Sequence, residues 1–188
     1  MTLELVKAFF EEDGWKFQIF PDSSVLSLGF KGHSGQWMCI AQSREEQQQF
    51  IFYSVCPLNV PEESRSRMAE FLTRVNYGTI LGNFEMDFRD GEIRYKTSLD
   101  YEGSHLNEAL IRQIVYSNLT IFDHYWPGVM KVIYTDVDCE QILEEIENSP
   151  FSQHHLSNHF EDALRDALEA NDDDLDTYTD DPDPLDPD

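Results

Sequence analysis

The sequence predicts an α+β fold in which an antiparallel β-sheet packs against helices, and three observations lead there. An opening helical stripe gives way to a succession of short alternating runs divided by turn-formers. After Pro57 the apolar period returns to that of a helix, and a second alternating pair follows. Hydrophobic residues make up 40% of the 188 positions and aromatics 13%, enough for one domain with a substantial core.

Leu5, Val6, Phe9 and Phe10 share one helical face, with Thr2 as the expected N-cap and Gly14 as the stop. Strands are expected over Trp15 to Phe20, Val25 to Lys31, Gln36 to Ser43 and Gln49 to Val55, forming an antiparallel meander. Leu26, Leu28 and Phe30 share a face of the second run, and Ile51, Tyr53 and Val55 share a face of the fourth. Behind Pro61-Glu62-Glu63, acidic residues suited to the positive end of a helix dipole, Met68, Phe71, Leu72 and Val75 make a second helical stripe. That helix should end in left-handed backbone at Asn76-Tyr77-Gly78.

A hairpin follows. With Asp90-Gly91 as a two-residue type I′ turn, Phe84 would face Thr97, Met86 would face Tyr95 and Phe88 would face Ile93. On the other side Glu85 would face Lys96, Asp87 would face Arg94 and Arg89 would face Glu92. The outward pairs are all opposite in charge, so the charges here have a structural use. Gly78 and Gly82 are punctuation and not a phosphate loop, because a strand follows them where a Lys-Ser/Thr and a helix would be needed.

Further on, Leu106, Leu110 and Ile114 mark a helix capped by Ser104, and a separate helical segment is expected from Asp123 to Tyr134, bent or started by Pro127. Asp138 with Gln141 resembles a capping box that opens a helix through Ile142 and Ile146. Asn158 with Glu161 resembles another, opening Phe160, Leu164 and Leu168. The organisation expected is therefore a domain over 1–147, a linker and amphipathic helix over 148–170, and a disordered acidic tail over 171–188.

The formal charge is −24, and 9 of the 37 acidic residues lie in Asp172 to Asp188, which leaves 13 − 28 = −15 on the rest. Such a field disfavours nucleic acid and anionic membrane surfaces and favours basic partners or peptides. No apolar run approaches the roughly 18 residues of a membrane span. Cys39, Cys56 and Cys139, an odd number without CxxC spacing, indicate a reduced, cytoplasmic setting, in which the Asn118-Leu-Thr120 sequon is chance. His155 and His159 could share a helix face toward a metal, yet a third ligand is unplaced, and no metal or other cofactor is expected. Catalytic motifs are also missing, and Cys39 and Cys56 have the surroundings of inert buried thiols.

The run Phe71 to Gly103 resembles the YbjN family, whose members share a fold with type III secretion chaperones. Asn76-Tyr77-Gly78, Gly82-Asn83-Phe84-Glu85, Asp87, Asp90-Gly91-Glu92 and Arg94-Tyr95-Lys96 carry the resemblance, which extends more weakly from the first helix to about Tyr134. It implies a secretion-chaperone-like order of elements, α-β-β-β(β)-α-β-β-α, with extra C-terminal helices. It also implies a bacterial, non-enzymatic, chaperone-like module that pairs as a homodimer and binds a segment of a client protein, with no catalytic residues to carry over. Trp37, Tyr53 and Trp126 are the expected partner contacts, as exposed aromatics. The alternative is a regulatory protein whose acidic tail competes for or masks a basic partner surface.

Overall fold

The computed structural model describes residues 2–20 and 23–149. Helix α1 (Thr2–Glu12) buries Val6, Phe9 and Phe10, the stripe that the spacing predicts. Its first amides are capped from outside: Glu45 Oε1 accepts from the N–H groups of Thr2 and Leu3 at 2.7 and 3.3 Å. The Thr2 hydroxyl is instead in hydrogen-bond contact with the Tyr101 hydroxyl. Gly14 ends the helix at φ +73°.

Strands β1 (Gln18–Ile19), β2 (Val25–Lys31), β3 (Gln36–Arg44) and β4 (Gln49–Val55) form the predicted meander. The first is far shorter than the expected Trp15 to Phe20. Trp15 leaves the sheet and stacks on Phe30 in the core, because burying a large ring outweighs extending a ladder at the sheet edge. After a 3-10 turn at Glu62–Ser64, α2 (Arg65–Gly78) buries Met68, Phe71, Leu72 and Val75. β5 (Asn83–Met86) and β6 (Ile93–Asp100) complete a sheet ordered β1-β2-β3-β4-β6-β5, antiparallel throughout.

The hairpin register differs from the expected one by two residues. Phe84 pairs with Tyr95, Glu85 with Arg94 and Met86 with Ile93. Phe88 therefore does not face Ile93, nor Arg89 face Glu92; Phe88 stands 58% exposed. A type I′ turn needs positive φ at both central residues, and here Gly91 has it (φ +87°) while Asp90 does not. Asp87 opens a wider turn, its carboxylate accepting from Arg89 N–H at 2.7 Å while its carbonyl accepts from Gly91 N–H at 2.8 Å. Because the side-chain period is 2, a shift of two keeps every paired residue on its expected face.

Helix α3 (Glu108–Tyr134) is continuous where two helices were expected. Pro127 lies on the exposed side of it, where the carbonyl it leaves unpaired can meet water, and Trp126, Gly128, Val129 and Val132 are buried around it. Packing on those residues holds the helix through the proline. The N-cap is Asn107, accepting from Leu110 N–H at 3.0 Å, and not Ser104. Helix α4 (Cys139–Glu147) starts at Asp138, which accepts from Glu140 N–H at 2.9 Å. Gln141 does not complete the box, for it turns to Glu145.

One sheet face holds the core. Leu26, Leu28, Phe30, Trp37, Cys39, Ala41, Phe50, Phe52, Phe84 and Tyr95 lie against α1, α2 and α3. The buried Asn118 amide donates from α3 to the carbonyls of Phe52 and Tyr95, both at 3.0 Å. Its burial also keeps the sequon out of reach of a glycosylating enzyme in the folded state.

Gly91 carries a testable constraint, since a Cβ there would sit 2.2 Å from the Val60 carbonyl oxygen. Gly91→Ala should lower unfolding stability by at least about 2 kcal/mol in urea titration, the left-handed backbone alone costing alanine about 1–2 kcal/mol.

Candidate functional site

The expected contact residues are not at the surface. Trp37 is 4% exposed and Trp126 8%. The Trp37 ring lies between Phe30 and Phe122, with centroids at 5.0 and 4.8 Å, and its indole N–H donates to Ser54 Oγ at 2.9 Å. Trp126 stacks against Trp37 and under Gly35. Tyr53, 8% exposed, lies beneath the Arg94 guanidinium at 4.8 Å. Rigid aromatics serve cores as well as interfaces, and local sequence does not distinguish the two uses.

The paired strands also form an outer face, on which Ile51 and Tyr53 are buried and Val25, Met38, Ile40 and Val55 are half-buried. Residues alternating with the core set point away from the helices, and in the middle of that outer face Val25, Met38, Ile40, Ile51, Tyr53 and Val55 adjoin one another through the strand pairings. Ile51, Tyr53 and Val55 thus belong to the opposite face from Leu26 and Leu28; β4, being central, is apolar on both. The outer face also carries Lys31, Arg44, Arg94 and Lys96 against Glu85 and Asp100, and Asp87 and Glu92 act on Arg94 from the hairpin turn, so its charges are of both signs and balance.

Glu85 is shared by two cations, Arg94 at 2.8 Å and Lys96. Desolvation raises its pKa, but the hydrogen bonds from Lys96 and Arg94 outweigh it and the net direction is down. Two further carboxylates are similarly committed: Asp13 binds Arg112 through two bonds of 2.9 Å and accepts from the Tyr116 hydroxyl, and Asp123 accepts from the His33 and Ser34 amides. These are clamps between elements.

A second surface is the loop between α2 and β5. Tyr77 is 96% exposed, Ile80 95% and Leu81 47%. The loop is nonetheless held. The Asn76 side chain accepts from Phe84 N–H at 2.8 Å and donates to Phe84 C=O at 3.0 Å, the two groups that β5 turns outward at that position. The Tyr95 hydroxyl donates to the Leu81 carbonyl. Left-handed backbone occurs at Gly82 (φ +80°) and not at Asn76 to Gly78, since Asn76 spends its side chain on β5 and Thr79 closes the helix with its N–H on the Asn76 carbonyl. Asn76 thus occupies the place of a seventh strand and blunts the edge that strand addition would use. The sequence did carry a signal for this loop: Ile80 and Leu81 are apolar residues in a turn, outside any periodic run.

Burial pushes the Cys39 thiol up to about 12 and the Cys56 thiol to about 11, so neither is a nucleophile at neutral pH. Among the described residues no three His, Cys, Asp or Glu side chains gather to hold a metal, and no helix is long and apolar enough to cross a membrane. His155, His159 and the acidic tail lie outside the described residues.

With this geometry in hand, comparison with known proteins gives the class. The family model YbjN, described as "Putative bacterial sensory transduction regulator", matches residues 2–129. The chain belongs to the YbjN family. Among solved structures it is similar to E. coli YbjN, described there as a putative transcription regulator, with TM-score 0.52 and 12% identity over 67% of this chain and 92% of that one. A weaker likeness, TM-score 0.44 at 12% identity over 66% and 91% of the two chains, is to the HopA1–SchA chaperone–effector complex. No curated protein matches. At such identities the first likeness speaks to the α+β fold, and the second is too low to carry an argument.

The Glu85 cluster makes a pH prediction. A carboxylate whose folded pKa is depressed stabilises the fold above its unfolded value, about 4.3, and that contribution is lost as pH falls through the folded value. In acid titrations followed by circular dichroism, wild type should therefore lose stability relative to Glu85→Gln below about pH 4.5. The difference between the two should be level above about pH 6.

Proposed function

We propose that this protein is a non-enzymatic, chaperone-like binding module that holds a segment of a client protein against the outer face of its sheet. The observation that carries this is the outer face itself: apolar in the middle, rimmed by charged side chains of both signs, and on the side of the sheet away from the described helices. An amphipathic segment fits such a face through its apolar side, with its polar side toward the mixed-charge rim. Strand addition is the weaker route, because Asn76 blunts β5 and β1 is two residues long. The commitment of Glu85, Asp13 and Asp123 to structural partners, and the raised thiols, support a binding role over a catalytic one. Three buried free cysteines favour a reducing, cytoplasmic setting, and an overall charge of −24 argues against nucleic acid and anionic membrane partners.

The same proposal assigns the Tyr77–Leu81 loop to a homodimer contact. Apolar side chains held out on a rigid turn bind at low entropic cost, and a symmetric contact needs one such patch only.

Two measurements separate these surfaces. Reduced, carboxymethylated α-lactalbumin, an acidic polypeptide that stays unfolded, should bind the protein, and Met38→Glu with Ile40→Glu should weaken binding about tenfold, near 1.4 kcal/mol. Retained binding in that variant, or none to wild type at low salt, would overturn the reading. Tyr77→Ser with Ile80→Ser should leave lactalbumin binding intact and shift the species seen in analytical ultracentrifugation from dimer to monomer. A wild type that sediments as a monomer at all concentrations would refute the dimer.

A further inference from the structure

We infer that α4 is an exchangeable arm: Arg67 latches it to its own chain, and the seat that it leaves when the latch opens takes the α4 of a second copy. The seat comes first. Cys139, Ile142 and Ile146 are the buried side chains of α4. Ile146 rests in a notch that Gly128 leaves open on α3, where a Cβ would stand 2.5 Å from the Ile146 Cδ1 atom and 2.4 Å from the Phe71 ring. The notch fits the helix that fills it, and a second copy brings the same helix with the same contacts.

Little else binds the arm. Its ion pairs, Glu145 with Lys131 and Glu140 with Arg74 at 3.9 Å, lie at the surface, where such pairs contribute little. Nine residues are too few for a helix to persist in water on its own. Undocking therefore unfolds α4 as a unit, while the sheet and the other helices stay packed through their own core. The family match, which ends at residue 129, stops short of this helix.

The latch is a single side chain. Residues 135–138 join α3 to α4, and the Arg67 guanidinium donates to the carbonyls of Val132, at 3.0 Å, Thr135 and Val137, so it grips the end of α3 and the hinge together. The Arg67 carbonyl also accepts from the Cys139 thiol at 3.5 Å. With those carbonyls released, the four hinge residues extend to about 14 Å at roughly 3.4 Å each, which sets the α3 ends of an exchanged pair side by side. Tyr134, the last residue of α3, stands 66% exposed at that point, and the exchange covers it.

Exchange of α4 depends on neither the client reading nor the Tyr77–Leu81 contact, and the full chain carrying Tyr77→Ser with Ile80→Ser isolates it. Equal amounts of this parent, unlabelled and labelled with heavy nitrogen, are incubated together at high concentration, diluted and treated with a water-soluble carbodiimide, which joins Lys131 to Glu145 as an amide. Chymotrypsin cuts after Tyr134, between the two, and mass spectrometry reads whether each linked pair of peptides carries one isotope or both. Mixed links should appear, and Arg67→Ala should raise their rate of appearance about tenfold by freeing the hinge carbonyls. Arg67→Lys, with fewer donors and the same charge, should fall between the two and replaces the alanine variant if that one does not fold. Gly128→Ala narrows the notch for either copy's helix, so it should abolish mixed links and speed alkylation of Cys139 by N-ethylmaleimide, with Cys39 and Cys56 still protected. Links of one isotope only, in the parent and in both Arg67 variants, would overturn the exchange. Mixed links that neither Arg67 variant accelerates would refute the latch, and mixed links that persist in Gly128→Ala would refute the seat.

Discussion

The amide of Asn118 fixes the arrangement on which the rest of the molecule depends. It is fully buried in the middle of α3 and donates to carbonyls on β4 and on β6, and to the Thr97 hydroxyl at 3.1 Å. Those strands are the seam where the hairpin joins the meander, so one side chain holds the long helix to both halves of the sheet. A buried amide without such acceptors would cost roughly 1–3 kcal/mol, and the helix therefore has one favourable position on the sheet. Phe122 and Trp126, at the next turns of the same helix, then meet Trp37 and Phe84.

With α3 so placed, the two sheet faces have different fates. The inner one is filled by aromatic rings from every layer, including Trp37 and Trp126. The outer one keeps apolar side chains in its centre and charges of both signs toward its margins. Asn76 closes one edge by pairing with Phe84 as a strand would, and it braces the loop that presents Tyr77, Ile80 and Leu81. The ionic groups join elements to one another, as Asp13 does α1 to α3 and Asp123 the β2–β3 turn to α3.

Apolar periodicity, together with capping and turn residues, identified α1, α2, α4 and β2 to β6 because their apolar residues repeat at the spacing of the element that buries them. The hairpin's two faces were legible for the same reason, and the sharing of Glu85 between Arg94 and Lys96 follows from alternation on the outward face. The YbjN membership was legible as well, through the Asn76 to Lys96 motifs.

Tertiary structure decided the remainder. The hairpin register depended on whether Asp90 would accept positive φ, and with Gly91 packed against Val60 and the Asp87 carboxylate bonded inside the turn, the wider loop formed. Pro127 could not interrupt α3 because burial of its neighbours outweighs one lost hydrogen bond. Trp37 and Trp126 could not be told from interface residues, since a ring's burial depends on what lies across from it. Sequence fixes the period of a side chain along its own element; what stands on the far side of that element is set by long-range packing, which no local pattern encodes.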